Sequence, residues 1–350
     1  MQIGCLVLRD FRNYRSLCYR PSDRLNVLEG RNAQGKTNVL EGLGVLLTGR
    51  SFRTPRLADL PSWGTDAATL TGELIHTEGT RSVRRTIQRR EDGTWQSAGD
   101  LCPWARVIVF GWQDLGILNG PPAARRDFID GFAARLYPGH VPALLRYRQI
   151  LARRNRLLQT AGGESRLAPW DEQLATTGME LIDRRRRAVA ALSTELARVY
   201  PALAGGEGRK VQVAYRTSLG ESTEPAALVA ALEQRRAEEV RRGLTLVGPH
   251  RDDLAIELDG TDVRAFGSRG EQRLLALALR LAEMMPVTEA AGTTPVLLLD
   301  DALSELDPII GANVLREIQT AEQVFLTSPE RLTVDGAVRW VVDSGEVSAA

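Results

Sequence analysis

Residues 30–37 read Gly30-Arg31-Asn32-Ala33-Gln34-Gly35-Lys36-Thr37, and this run constrains the fold more than any other stretch of the chain. It fits G-x-x-x-x-G-K-[ST], a match expected by chance in only about a few sequences per thousand of this length and composition. A short apolar segment, 25–29, precedes it, and a helix-compatible segment, 37–47, follows. The run is therefore read as a strand–loop–helix turn. Glycines let successive backbone N–H groups point inward around phosphate oxygens, and the helix N-terminus adds positive potential. Lys36 has the reach for β- and γ-phosphates, and the Thr37 hydroxyl suits Mg2+. Only Lys36 and Lys210 are lysines among 45 basic residues; the rest are arginines, whose forked guanidinium groups match phosphate oxygens.

A second element lies far along the chain. Val296-Leu297-Leu298-Leu299-Asp300-Asp301 is an apolar strand ending in two acids. A buried parallel strand with carboxylates at its C-terminal edge delivers charge to a ligand crevice. Asp300 is placed to reach Mg2+, directly or through an intervening ligand, and Asp301 to orient an attacking water as general base. Lys36 and Asp300 are 264 positions apart, so a large insertion has to separate them.

Two further segments accompany the acidic strand. Ser268-Arg269-Gly270-Glu271-Gln272-Arg273 precedes a helix expected at 274–285, and Ser268 with Glu271 makes an S-x-x-E capping box. The Ser268, Gly270 and Gln272 pattern also matches an ABC signature, a helix start that faces the γ-phosphate held by a second subunit. Ser304-Glu305-Leu306-Asp307 matches the S-x-L-D segment that crosses such a dimer interface.

Between these elements the pattern changes. Short or alternating apolar runs at 3–8, 69–75, 81–88 and 106–110 predict strands. From 122 to 201 helix formers dominate, with a turn at Ala161-Gly162-Gly163-Glu164-Ser165 and a third helix expected at 225–242. Strand character returns at 244–247 and 254–258. The fold class is α/β: an ABC-type P-loop ATPase head, formed by 1–120 and 244–350, split by an inserted helical lobe at 121–243 with a short antiparallel arm.

With these motifs in place, the chain resembles the RecF family. Arg12-Asn13-Tyr14 resembles the family's FRNY, and Arg50-Ser51-Phe52-Arg53 follows the phosphate-loop helix as it does there. Leu118-Asn119-Gly120 with Arg125-Arg126-Asp127-Phe128-Ile129-Asp130, and Gly248-Pro249-His250-Arg251-Asp252-Asp253, are similar to two more family stretches. The resemblance runs from about residue 3 to 330. It departs at Trp112-Gln113-Asp114-Leu115, where the family carries Pro-Glu-Asp-Leu, and Gln113 becomes the candidate water or metal contact. The strand Val324-Phe325-Leu326-Thr327-Ser328 ends in hydroxyls in place of the histidine of many ABC ATPases, and Asp301 replaces their glutamate.

The resemblance implies ATP and Mg2+ as cofactors, with residues 30–37, Arg12, Asn13, Ser268, Gly270 and Gln272 around the nucleotide. It implies a weak DNA-dependent ATPase that dimerises on ATP, binds double-stranded, gapped or junction DNA, and releases it on slow hydrolysis. RecO and RecR are the implied partners in helping RecA load during recombinational repair and replication. The alternative is the nucleotide-binding subunit of a transporter.

Other features read more plainly. Cys5, Cys18 and Cys102 form no CxxC pair and are expected as reduced thiols in a cytosolic protein. No apolar run of membrane-spanning length and no secretory signal is found, so a cytoplasmic location is expected. The arginine run 184–187 is expected as a solvated helix surface, Trp104 and Trp112 as core, and His250 as part of the Gly-Pro turn. Arg81, Arg84, Arg85, Arg89 and Arg90 are candidate DNA contacts.

Overall fold

The computed structural model describes residues 1–100, 102–160, 162–206, 209–266 and 268–350. Two compact units emerge. The first comprises residues 1–114, 199–208 and 269–350, and the second comprises 115–198 and 209–268. The sequence reading placed the joins at 120/121 and 243/244. The later division arises because strand Asp253–Leu258 pairs with Val211–Arg216, tying 253–258 to the second unit.

In the first unit, six strands lie in the order Glu346–Ala349, Ala337–Asp343, Leu25–Glu29, Val324–Ser328, Val296–Leu299, Val107–Phe110. All neighbours are parallel except the C-terminal hairpin. The central strands Leu25–Glu29 and Val296–Leu299 are buried throughout, as a sheet covered on both faces requires. Glu29, which accepts from Leu332 N at 2.8 Å, and Asn26 are the exceptions in type, and the bonds of Asn26 explain its place. Its Oδ1 accepts from Ser22 N at 2.8 Å and Trp340 Nε1 at 3.0 Å, while Nδ2 donates to the Ser22 carbonyl at 3.0 Å. A second, antiparallel sheet runs Tyr14–Tyr19, Gln2–Phe11, Ala67–His76, Gly79–Arg89, Trp95–Gly99.

The helix Lys36–Thr48 packs on strands of both sheets. Its sequence is apolar on nearly every face, which suits a buried helix. Val39, Leu40, Leu43 and Val45 are fully buried. A Cβ at Gly42 would sit 3.0 Å from Leu8 Cδ2, so a side chain there would push the Leu8 side chain aside.

The second unit contains the helices Pro122–Leu136, His140–Leu158 and Pro225–Arg242, most of Ala168–Ala204, and a small antiparallel sheet of Val211–Arg216, Asp253–Leu258 and Thr261–Asp262. Its core holds ionic networks. Arg154, fully buried, donates to Asp171 at 2.7 Å, Thr245 Oγ1 at 2.8 Å and Glu239 at 2.6 Å. Arg185 makes a bidentate pair with Asp130, both bonds at 2.8 Å, and donates to the Pro249 carbonyl at 2.7 Å. The two stretches resembling RecF motifs meet here. Arg125 grips Asp253 at 2.7 and 2.9 Å, and Arg126 donates to the Asp252 carbonyl at 2.9 Å. Their work is to join helix Pro122–Leu136 to strand Asp253–Leu258.

Several expectations change. Segment 244–247 is not a strand, because side chains take its N–H groups: Thr245 N donates to Asn155 Oδ1 and Leu246 N to Glu239 Oε1. The helix expected through 285 stops at Leu281 and restarts as Met284–Ala291, because Pro286 lacks the N–H for an i−4 bond. The arginine run 184–187 is not a solvated surface throughout: Arg185 is buried, and Arg186 donates to the Ser222 carbonyl at 2.8 Å. Trp112 is 69% exposed and so is not core. The expected turn at 161–165 is described from Gly162 onward, with a short helical turn at Gly163–Arg166; Ala161 lies outside the described residues. Cys5, Cys18 and Cys102 are free thiols. Among the described residues, no helix is long and apolar enough to cross a membrane.

Candidate functional site

The parallel sheet of the first unit gathers the sequence-predicted residues at one edge. Strand Leu25–Glu29 ends in loop 30–37, Val296–Leu299 in Asp300 and Asp301, Val324–Ser328 in Thr327, and Val107–Phe110 in Gly111 and Gln113. Because these strands are parallel and adjacent, their C-terminal ends open on one crevice.

The two distant stretches touch. The Thr37 hydroxyl donates to Asp300 Oδ1 at 2.8 Å, and the Thr327 hydroxyl donates to the same oxygen at 2.9 Å. Burial pushes the Asp300 carboxyl above its usual range, opposed by these two hydroxyl bonds; the neighbouring Asp301 charge pushes it the same way as burial. Lys36 is buried, and its Nζ donates to the Gly30 carbonyl at 2.5 Å and the Arg31 carbonyl at 3.0 Å. Burial pulls the Lys36 ammonium below its usual range, against the attraction of Asp301 and Asp300. Among the described residues its hydrogen-bonding partners are neutral carbonyls, which a phosphate oxygen outcompetes.

Residues flanking the loop hold its shape. Tyr14 OH donates to the Gly35 carbonyl at 3.2 Å, Asn13 Nδ2 to the Gln34 carbonyl at 3.1 Å, and Ser344 N to Gln34 Oε1 at 2.7 Å. Gly35 has φ +119°, and a Cβ there would lie 2.7 Å from both Asn13 Nδ2 and Tyr14 OH, so only glycine fits. Arg31, Asn32 and Ala33 form the exposed crown of the loop. Arg12, expected at the nucleotide, is bidentate to Glu41 at 2.8 and 2.7 Å and also lines the pocket beside Asn13 and Arg53. Glu41 is fully buried and also accepts from Ser51 Oγ at 2.5 Å and Arg53 Nη1 at 3.2 Å. The sequence reading missed Glu41; an acid inside the apolar helix after the loop was the available signal. A pocket of about 470 Å³ opens beside this cluster, lined by Asn13, Asn38, Arg53 and Trp63 among others. Trp63 is 95% exposed.

Two acceptors at the sheet edge lack partners among the described residues. Asp301 Oδ1 and Gln113 Oε1 are buried without a hydrogen bond. Asp301 holds φ +50°, its N–H donates to Thr327 Oγ1 at 2.8 Å, and its carbonyl accepts from Arg273. Such strain at a non-glycine residue costs about 1–3 kcal/mol and marks a constrained position. Gln113 folds back over Gly111, within 2.9 Å of where a Cβ would be. Asp114 anchors that loop: Oδ2 accepts from Gly111 N at 2.9 Å, and Oδ1 from Arg280 at 2.6 and 3.1 Å. Burial alone would lower the Arg280 pKa, and the charges of Asp114 and Glu283 reverse that.

Of the signature residues, Gly270 and Gln272 lie in the first turn of helix Arg269–Leu281, and a Cβ at Gly270 would be 3.8 Å from the Glu305 carbonyl. The signature helix start and the Ser304-Glu305-Leu306-Asp307 segment therefore adjoin. Ser268 is exposed just before the helix, in the stretch that closes the second unit. Asp307 caps helix Pro308–Ile318, its side chain accepting from Ile309 N at 2.8 Å.

The comparisons with known proteins bear on the family and the fold. The family model for the RecF/RecN/SMC N-terminal domain matches residues 2–342. The DNA replication and repair protein RecF of Heliobacterium modesticaldum is 34% identical over 375 residues, covering 99% of each chain. The chain belongs to the RecF family. A solved structure described as the recombination mediator protein RecF with ATP in the RecFOR pathway superposes with TM-score 0.88 at 26% identity, covering 100% of this chain and 97% of that one. The Smc head domain of Pyrococcus furiosus shares the fold with TM-score 0.57 at 17% identity, covering 100% and 96%. The α/β fold is thus that of the ABC-type heads of RecF and SMC proteins. The transporter alternative has no support among these relatives.

Proposed function

We propose that this chain is an ATP-gated DNA-binding protein of recombinational repair and replication, acting as RecF does. The observation that carries this is the Thr37–Asp300 contact of 2.8 Å, which joins the phosphate loop to the acidic strand across most of the sequence. The donor set fits Mg-ATP: a hydroxyl and a carboxylate side by side, a buried ammonium held only by carbonyls, and two unpartnered acceptors at the same sheet edge. Bound there, Mg-ATP supplies a phosphoanhydride bond whose cleavage changes the charge at the site.

The protein's own groups then have distinct tasks. Lys36 would exchange its carbonyl partners for phosphate oxygens, and the N–H groups of 30–37 would neutralise the rest. Thr37 and Asp300 would hold Mg2+, and Thr327 keeps the Asp300 carboxylate in place. Asp301, with Oδ1 free of hydrogen bonds, takes a proton from water as general base, and Gln113 orients that water. Asp is one methylene shorter than the glutamate of many such ATPases, which favours slow turnover. The pocket at Asn13, Arg53 and Trp63 takes the nucleoside, with Arg12 holding its wall through Glu41.

Ser268, Gly270 and Gln272 of one subunit complete the site of a second copy, so that ATP joins two subunits and hydrolysis parts them. The closed dimer grips gapped or junction DNA, and RecO and RecR are the expected partners in a cytoplasmic pathway that loads RecA. The test is sedimentation of the wild-type protein with and without Mg-ATP and DNA, beside Lys36→Met. The wild type should dimerise only with nucleotide, and Lys36→Met should stay monomeric. A nucleotide-independent sedimentation profile would refute the gating reading.

A further inference from the structure

We propose that the exposed face of helix His140–Leu158, carried by Arg146, Arg153 and Arg156, is a docking surface for the DNA phosphate backbone. This rests on the DNA-binding reading above and names the surface it leaves unassigned.

The helix is set apart by its charge. Its sequence, HVPALLRYRQILARRNRLL, holds five arginines and no acid. By contrast, helix Ala168–Ala204 interleaves arginines with acids, and its half-buried Arg184 and exposed Arg187 pair with Glu180 and Asp183, each at 2.6 Å. Within His140–Leu158, the five arginines divide by environment. Arg154 is buried and serves the Asp171–Glu239 network. Arg148 lies 3.8 Å from Asp127. Arg146, Arg153 and Arg156 are exposed. Arg153 lies over the Trp170 ring at 5.5 Å, which limits its wandering without consuming its charge. Arg146 and Arg156 have no ion-pair partner among the described residues.

Helical geometry puts these three on one stripe. At about 100° per residue, positions 146, 149, 153 and 156 fall within roughly a quarter of the circumference. At ~1.5 Å per residue, Arg146 and Arg156 are separated by about 15 Å along the axis. One DNA strand places a phosphate every ~3.4 Å of axis, so the stripe faces about four of them. Gln149 lies between the arginines and is exposed, adding a neutral donor at the same face. The occupant is an extended polyanion, because three unneutralised cations in a row repel one another and gain most from a charge distribution of the same length.

Of the strand arginines read from the sequence, Arg81 and Arg84 are exposed, and the other three have partners. Arg85 is buried against the Asp100 carbonyl, Arg89 lies 3.6 Å from Asp66, and Arg90 donates to Gln96 at 2.6 Å.

The experiment is fluorescence anisotropy of a labelled DNA duplex with the full chain and Mg-ATP over a salt series. Each phosphate neutralised adds about 0.9 to the slope of log K against log salt. The triple variant Arg146→Gln/Arg153→Gln/Arg156→Gln should therefore lose roughly two to three from that slope. Its ATP affinity and urea midpoint should match wild type, and the corresponding triple lysine variant should restore the slope. If loss of the Trp170 contact shifts the urea midpoint, Arg146→Gln/Arg156→Gln decides, with a loss of roughly two. A steep wild-type slope that the variants leave unchanged overturns the docking surface and leaves DNA binding intact. A wild type with no DNA affinity overturns the DNA-binding reading, and the surface with it.

Discussion

Replacing Asp114 by Asn tests whether packing beneath the crevice controls its chemistry. Asp114 is buried, and one of its oxygens accepts two N–H groups of Arg280, at 2.6 and 3.1 Å, while the other holds Gly111 N at 2.9 Å. Asn keeps one acceptor but presents an NH2 group, so either Arg280 or Gly111 meets a donor in place of an acceptor. A charge-assisted bond contributes about 1.5–3 kcal/mol, and breaking a buried pair costs about 3–5 kcal/mol. Arg280 retains Glu283 at 2.8 Å, which places the expected loss near the lower end, about 3 kcal/mol. The loop carrying Gln113 loses its anchor in the same change. Single-turnover ATP hydrolysis should slow by on the order of tenfold to a hundredfold, the size expected for a misplaced catalytic group. ATP affinity should hold, because the phosphate loop is braced separately by Asn13, Tyr14 and Ser344. Urea unfolding and rapid-quench hydrolysis check the two halves. A variant within about 0.5 kcal/mol of wild-type stability and with unchanged turnover would refute the reasoning.

Three further outcomes are expected. Ser268→Arg should bind ATP as tightly as wild type yet fail to dimerise with it; a nucleotide-dependent dimer on sedimentation counts against assembly in trans. Arg154→Leu leaves Glu239 buried beside an apolar side chain and should cost about 3–5 kcal/mol in urea unfolding, with Arg154→Leu/Glu239→Leu recovering part of it; an equal or larger loss in the double variant removes the argument. Burial holds the His250 pKa at about 4, against the bond to the Thr245 carbonyl and helped by Arg251, Arg126 and Arg154, whereas the unfolded chain titrates near ~6.5. The unfolded state therefore binds more protons between these values, and stability falls as pH drops from about 6.5 to 4. His250→Gln should remove roughly 2–3 kcal/mol of that pH dependence; an identical pH profile in the variant would show that His250 is not the group responsible.

How far the sequence could be read depended on whether a residue's role is local. The phosphate loop and the strand at Val296–Leu299 are local patterns whose chemistry follows from residue type and spacing, so both were legible. The contact between Thr37 and Asp300 was inferred from their shared chemistry. Arg12 shows the limit. Its chemistry suits a phosphate equally well, but Glu41 lies 29 residues on, inside an apolar helix, and only the fold brings them together. The same holds for residues 184–187, where the helical turn sends Arg185 into the core toward Asp130, 55 residues away. The segment 244–247 has strand composition but no strand neighbour, since Asn155 and Glu239 occupy its N–H groups. The hairpin of Ala337–Asp343 and Glu346–Ala349 was missed for a related reason. Its first strand is half-buried or exposed at all but one position, so it lacks both clean alternation and a continuous buried run.

The meeting of residues near 37 and 300 around one metal-bound triphosphate is best measured as a double-mutant cycle. ATP affinity would be determined by calorimetry for wild type, Thr37→Ala, Asp300→Ala and the double variant, each with Mg2+ and with EDTA. Both single variants should lose the Mg2+-dependent part of the affinity, and the double variant should lose little more than either. If the two losses instead add, or if Mg2+ strengthens ATP binding equally in all four proteins, Thr37 and Asp300 do not share a metal and the site is wrongly assembled.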